Sequence, residues 1–240
     1  MPRTQAETVT PEQLPLNIRL RDDTSFATCY VGENAIAIHS LQSLARGEGE
    51  QQMLLWGGSG LGKTHLLQAA CHLAGEHALS TLYLPLKEIM SYGVDVLEGT
   101  EQLSLICLDD VHRVAGDAEW EFALFNLINR QRQSGGRLVM TSTDNPRSLP
   151  IDLPDLVSRL QWGPVFQLRP LDDEAKIKAL RLRAQRRGLD LPDEVGQYLL
   201  RQYPRDLGYL MDMLEELDLA SLTAKRRLTI PFIRSVLTQS

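Results

Sequence analysis

The sequence predicts an α/β fold with a mainly parallel sheet, followed by a small all-helical unit. Three observations carry this reading. Short apolar strand segments alternate with helical ones through the first two-thirds of the chain, and strand signals stop after Pro170. The 240 residues, 43% hydrophobic and 23% charged, are enough to build a sizeable core. Strands that alternate with helices need crossover connections, and crossovers place helices on both faces of a parallel sheet.

Taken in order, residues 1–23 are polar and proline-bearing apart from the apolar cluster Leu14-Pro15-Leu16-Asn17-Ile18, and they read as a tail. Glu33 to Ala45 predicts a short helix ending near Gly47. Gln51 to Trp56 is a buried strand that runs straight into glycines. Thr64 to Ala74 is a helix with Gly75 as its stop. Thr81–Leu84 and Leu103–Leu108 are short apolar strands. Asp117 to Gln133 is a helix closed by Gly135-Gly136, Arg137–Thr141 a further strand and Val165–Leu168 the last. Beyond it, Asp172-Asp173-Glu174 opens a helix reaching Arg187, with acidic residues at its positive end. Further helices start at Pro192-Asp193, at Asp206 and at Thr229-Ile230-Pro231.

Charge and cysteine content narrow the function. Residues 1–168 carry 12 Lys and Arg against 20 Asp and Glu, whereas residues 169–240 carry 13 against 11. A chain that grips many DNA phosphates shows a basic excess, and this one does not. Cys29, Cys71 and Cys107 are widely spaced and odd in number, which fits a reduced cytoplasmic interior better than a disulfide framework or a zinc site. No apolar run is long enough to span a membrane, and residues 1–10 lack the apolar stretch of a secretory signal.

The chemistry is concentrated in Gly57-Gly58-Ser59-Gly60-Leu61-Gly62-Lys63-Thr64, which fits G-x-x-x-x-G-K-[S/T]. Such a loop turns its backbone N–H groups inward around a phosphate, and glycine permits the required conformations. Lys63 is placed to put an ammonium on the phosphates and the Thr64 hydroxyl to bind Mg²⁺, while the following helix points its positive end at the anion. The strand Leu103–Leu108 ends in Asp109-Asp110. Asp109 suits holding Mg²⁺ through water, and Asp110 suits polarising an attacking water. The polar end of the next strand offers Thr141, Thr143 and Asp144 as γ-phosphate sensors, with Thr143 the one selected. Two arginines complete the set: Arg159, in Leu156-Val-Ser-Arg-Leu160, and Arg205, in Tyr203-Pro-Arg-Asp-Leu207.

This order of phosphate loop, Asp-Asp strand, sensor strand, Ser-Arg box and helical lid resembles the AAA+ ATPases and, within them, the bacterial initiator family DnaA. The resemblance covers about residues 22–240. It implies an αβα sandwich with a parallel sheet followed by a small all-helical lid. Phe26-Ala-Thr-Cys-Tyr-Val-Gly-Glu-Asn34 looks like the initiator's stretch near the adenine, so Tyr30 and Val31 are expected to flank the base. Gly58 to Thr64, together with His65 and Arg205, are then the nucleotide-binding residues. Arg159 matches the arginine finger, and Arg205 the second sensor of the lid. Thr143 departs from the family, which has an aspartate there.

The sequence ends at Ser240, without the helix-turn-helix domain that the initiator carries, and its tail adds Gln13-Leu-Pro-Leu-Asn-Ile18. Pro15 holds Leu14 extended, so Leu14, Leu16 and Ile18 project to one side while the Gln13 amide can bond a pocket wall. The hexapeptide looks like the motif with which bacterial proteins bind the replicative sliding clamp. The combination is similar to the DnaA-related regulatory inactivators, the Hda family. The expected domains are residues 1–21 (tail with the clamp motif), 22–168 (nucleotide-binding unit) and 169–240 (lid). The resemblance implies a cytoplasmic negative regulator of replication initiation with bound ADP and Mg²⁺. Its implied partners are the DNA polymerase III beta sliding clamp and DnaA. It would touch DNA mainly through the clamp and would offer Arg159 in trans, with at most weak ATPase activity of its own. Oligomeric state stays open, with a homodimer or higher homo-oligomer as candidates, although a finger needs a neighbouring subunit of some kind.

Two other readings compete. An AAA+ helicase loader acting on single-stranded DNA would call for a basic patch or aromatic platform, and it leaves Gln13–Ile18 unexplained. A phosphate-loop kinase normally carries a substrate-binding insert, and residues 75–103 leave little room for one. His65, His72 and His77 have no common metal spacing and read as packing or surface residues. Trp56, Trp120 and Trp162 are scattered and read as core or interface residues. Arg183, Arg186 and Arg187 read as a solvated helix end, with a contact to clamp-encircled DNA as the alternative.

Overall fold

The computed structural model describes residues 20, 24–224 and 226–237. Gln13, Leu14, Leu16 and Ile18 lie outside the described residues. Five parallel strands, β1 (Gln52–Trp56), β2 (Thr81–Pro85), β3 (Leu105–Asp109), β4 (Arg137–Ser142) and β5 (Val165–Gln167), form one sheet in the order β2-β3-β4-β1-β5. Their side chains alternate between two cores, as a period of two dictates. Met53 and Leu55 of β1, with Leu105 and Cys107 of β3, pack on α1 (Ala35–Ala45) and α2 (Lys63–Glu76). Leu54, Ile106 and Leu108 face the opposite way, onto α3 (Leu86–Ile89), α4 (Ala118–Gln133) and α5 (Pro154–Leu160). β3 is buried along its whole length, which is why its sequence runs apolar without alternation until Asp109.

The helices α6 (Asp173–Arg186), α7 (Asp193–Gln202), α8 (Leu207–Ala224) and α9 (Ile230–Leu237) form a separate apolar cluster around Leu180, Leu199, Leu214 and Ile233. Asp172 caps α6 by accepting from the Ala175 N–H at 2.7 Å, and Asp117 caps α4 through the Trp120 N–H. The sandwich followed by a helical lid is the architecture expected from the sequence.

Three expectations need correcting. Gly75 does not stop α2. The helix runs on to Glu76, and Ala78 takes the left-handed conformation (φ 58°), while the Leu79 N–H returns to the Ala74 carbonyl. A helix closes where this hydrogen-bond pattern falls, and here that is an alanine that bears the cost of a left-handed backbone. Secondly, the sequence assigns no element between Leu84 and Leu103 or between Thr141 and Val165, where α5 and several short helices form. Pro154 at the first turn of α5 is the local signal for it. Thirdly, Arg183 and Arg187 are not a solvated end. Arg183 is only 5% exposed and pairs with Glu215 at 3.2 Å, and Arg187 pairs with Glu215 at 2.9 Å and Asp218 at 3.3 Å. They tie α6 to α8 and are spent inside the lid, which leaves only Arg186 exposed.

Candidate functional site

β1 delivers the chain into the glycine loop, and α2 begins at Lys63, so the loop spans a strand end and a helix N-terminus. Gly60 (φ 73°) and Gly62 (φ 77°) take left-handed conformations that make the bend. Lys63 is buried and turns back on the loop, donating to the Gly57 carbonyl at 2.6 Å and the Gly58 carbonyl at 2.7 Å. Burial pulls its ammonium below the usual lysine range, against the opposing pull of Asp110, Asp109 and Asp144. The lysine is therefore a poorly solvated cation whose present partners are neutral carbonyl oxygens.

Asp109, at the end of β3, is buried and accepts three hydroxyls: Thr64 at 2.6 Å, Tyr83 at 2.8 Å, and Thr141. Thr141 in turn accepts the Asp110 N–H at 2.9 Å, which welds the ends of β3 and β4 together. Burial and the Asp109 charge hold the Tyr83 hydroxyl far above its usual range, so it keeps its proton and donates it to Asp109. Asp110 is left-handed (φ 64°) and half-buried, with Arg113 at 3.6 Å and the His112 ring at 3.9 Å. A non-glycine residue in this conformation marks strain held by surrounding structure, a common feature of functional sites. The His112 Nδ1 also accepts the Thr143 N–H at 3.3 Å, and burial lowers its pKa.

These groups open on a cavity of about 680 Å³ between the sheet and the lid. Tyr30, Ser59–His65, Asp110, Thr143 and Arg205 all line it. Buried Asp109 lies behind it, and Gly58 takes part through the carbonyl that holds Lys63. Val31 is exposed and does not line the cavity. Thr143 gives its hydroxyl to Asp144 at 2.7 Å, so the contact with Asp109 belongs to Thr141. His65 has a packing role as well, since its ring lies 3.2 Å from the Ser25 carbonyl and 3.4 Å from the Thr28 hydroxyl. The Asn34 side chain clamps the Arg169 backbone at 3.0 and 2.8 Å, pinning the segment before α1 to the start of the lid connection. Arg205 pairs with Asp173 at 3.0 Å, both of them exposed.

Sequence reasoning missed Tyr83, His112 and Asp206. The Asp206 carboxylate caps α8 through the Tyr209 N–H (2.9 Å) and rests against Gly60, where an added Cβ would overlap it. Gly60→Ala is therefore expected to displace the Asp206 carboxylate and strain the left-handed loop backbone, weakening nucleotide binding about tenfold or more, the equivalent of about 1.4 kcal/mol. Gly49→Ala, also left-handed but with nothing within 4 Å, is expected to leave affinity unchanged. Calorimetric titration of both variants checks this.

Arg159 is elsewhere. It lies on α5, its Nε donates to the Asn129 Oδ1 at 2.9 Å, and its guanidinium carbon sits 3.7 Å from the centre of the Trp162 ring and 5.5 Å from that of Phe125. It does not line the cavity that holds the other predicted residues.

Comparison with known proteins gives a consistent picture. Residues 20–167 match the bacterial DnaA ATPase domain, and residues 173–237 match the lid domain of Hda. Domain III of the Thermotoga maritima replication initiation protein DnaA is similar at 25% identity and a TM-score of 0.79, covering 92% of this chain and 98% of that one. AMPPCP-bound DnaA from Aquifex aeolicus is similar at 22% identity and 0.69, covering 85% and 68%. The Aeropyrum pernix ORC1 protein in complex with DNA follows at 16% identity and 0.63, covering 85% and 63%. The last two likenesses speak to the fold alone. With a sheet, phosphate loop and lid that agree with the profile matches along nearly the whole described length, the chain belongs to the bacterial DnaA ATPase-domain family and carries a lid of the Hda type.

Proposed function

We propose that this protein is a negative regulator of chromosomal replication initiation. In this reading it is a nucleotide-bound AAA+ adaptor, with ADP the resident nucleotide. It docks on the DNA-loaded sliding clamp through Gln13–Ile18 and promotes hydrolysis of the ATP bound to DnaA. Residues 1–21 form the tether, 22–168 the nucleotide-binding unit and 169–240 the lid. The observation that carries the reading is the separation of Arg159 from its own cavity. A guanidinium held away from its own cavity is available to a nucleotide on another subunit and not to the chain's own phosphate loop.

In the cavity, the loop N–H groups and Lys63 would hold the phosphates, Tyr30 would lie against the base, and Arg205 would reach in from the lid. Thr64 and Asp109 offer two hard oxygen donors 2.6 Å apart, a donor set that suits Mg²⁺. The ion would neutralise phosphate charge there. Asp110, engaged with Arg113, leaves intrinsic turnover weak on this account. Offered in trans, Arg159 would meet the charge that develops on the partner's γ-phosphate, the role that makes such arginines effective.

The tether is tested separately from the nucleotide site. A protein carrying Gln13→Ala and Leu14→Ala is expected to keep nucleotide affinity and lose clamp binding in a pull-down. Retention of the clamp would overturn the tail assignment.

A further inference from the structure

The Arg159 cluster holds a second cation. Arg132, one turn beyond Asn129 on α4, places its guanidinium carbon 4.2 Å from the centre of the same Trp162 ring that carries Arg159 at 3.7 Å. The two charges are therefore within about 8 Å of one another, inside one Debye length at physiological salt. Neither side chain pairs with a carboxylate among the described residues. Arg159 spends only its Nε, on Asn129, so its two terminal nitrogens have no hydrogen-bond partner among the described residues. Trp162 is itself 37% exposed, in the turn between α5 and β5, and exposed Phe122 lies on the same strip of α4.

Like charges gathered without a counter-ion are unfavourable unless something offsets them. The ring face attracts each cation, which offsets part of the repulsion. The remainder is relieved when an anion docks, and an anion of several charges relieves it most. Two planar guanidiniums with free N–H groups also match phosphate oxygens better than they match a single carboxylate. An arginine on a four-bond stem otherwise samples many rotamers, and stacking removes that freedom before the ligand arrives.

We propose that Trp162 is a positioning residue for Arg159 and that Arg132 is a second cation of the same site. The indole presents both guanidiniums together to the polyphosphate of a nucleotide held by a neighbouring subunit. This rests on the reading of Arg159 as a finger, and the experiment separates the two.

The test measures hydrolysis of DnaA-bound ATP with DNA-loaded clamp, using full-length protein and varying its concentration. Trp162→Ala is expected to lower the maximal stimulated rate about tenfold, with half-maximal concentration, clamp binding and nucleotide affinity close to the parent. Trp162→Phe, which keeps a ring face, is expected to restore most of the rate. Arg132→Gln is expected to lower the maximal rate about threefold or more and to flatten its dependence on salt. A parent-like maximal rate with Trp162→Ala, or a Trp162→Phe protein as slow as Trp162→Ala, would overturn the positioning role. Arg132→Gln alters only a surface cation and so tests the site even if Trp162→Ala fails to fold; a parent-like rate and salt slope would remove Arg132 from the site. If Arg159→Ala stimulates as the parent does, the finger reading itself fails, whatever the Trp162 variants do.

Discussion

Arg159→Ala is expected to lower the stimulated rate of DnaA-bound ATP hydrolysis by about 10³-fold or more, the scale of an arginine finger supplied in trans. Clamp binding and the protein's own nucleotide affinity are expected to stay at parent values, because Arg159 does not line the cavity. Little stability is at stake. The side chain makes one hydrogen bond, to Asn129, and stacks on a half-exposed ring, and interactions of that kind contribute about 1 kcal/mol each. A large loss of stimulation with an unchanged melting temperature separates chemistry from folding. Arg159→Lys is expected to recover little, since an ammonium neither stacks as a plane nor presents a bidentate edge.

The second large effect is at Lys63. With Asp109, Asp110 and Asp144 nearby, a bound polyphosphate needs the loop's own cation. Lys63→Met is expected to weaken nucleotide binding by about 10²-fold or more, in line with about 3 kcal/mol for removing one member of a buried charge pair. The parent should gain melting temperature on adding nucleotide, by mass action, and the variant should need about a hundredfold more nucleotide for the same gain. The unliganded parent has a signature of its own. Its folded-state lysine is shifted below 10.5 by burial, so the unfolded chain binds more protons between the lowered value and 10.5. Parent stability relative to Lys63→Met should therefore rise with pH through that window and be flat below it. Thermal unfolding across alkaline pH checks the sign.

What the sequence revealed is what is local in the chain. The phosphate loop needs its glycines, lysine and threonine within eight consecutive residues, so its chemistry is spelled in one place. The buried strand before Asp109 and the acidic start of α6 are legible for the same reason. What escaped is set by pairing across distance. Tyr83 reads as a core strand residue, and only the β2–β3 register, with Tyr83 opposite Cys107, brings its hydroxyl to Asp109. Asp206 reads as a helix cap, and it meets Gly60 only once the lid has docked. Arg183 and Arg187 look like free cations until α8 supplies Glu215 and Asp218. Ala78 was missed because the residue that closes a helix is fixed by its hydrogen bonds, not by the nearest glycine. Arg159 was legible as a residue, but its placement on Trp162 and away from the cavity needed the packing of α4 against α5.

The most direct measurement follows conversion of DnaA-bound ATP to ADP on DNA-loaded sliding clamps, with and without this protein. Rapid conversion that requires the protein, the clamp and Arg159 together is the expected result. A conversion rate that stays the same when the protein is added, with clamp and nucleotide both bound, would contradict it.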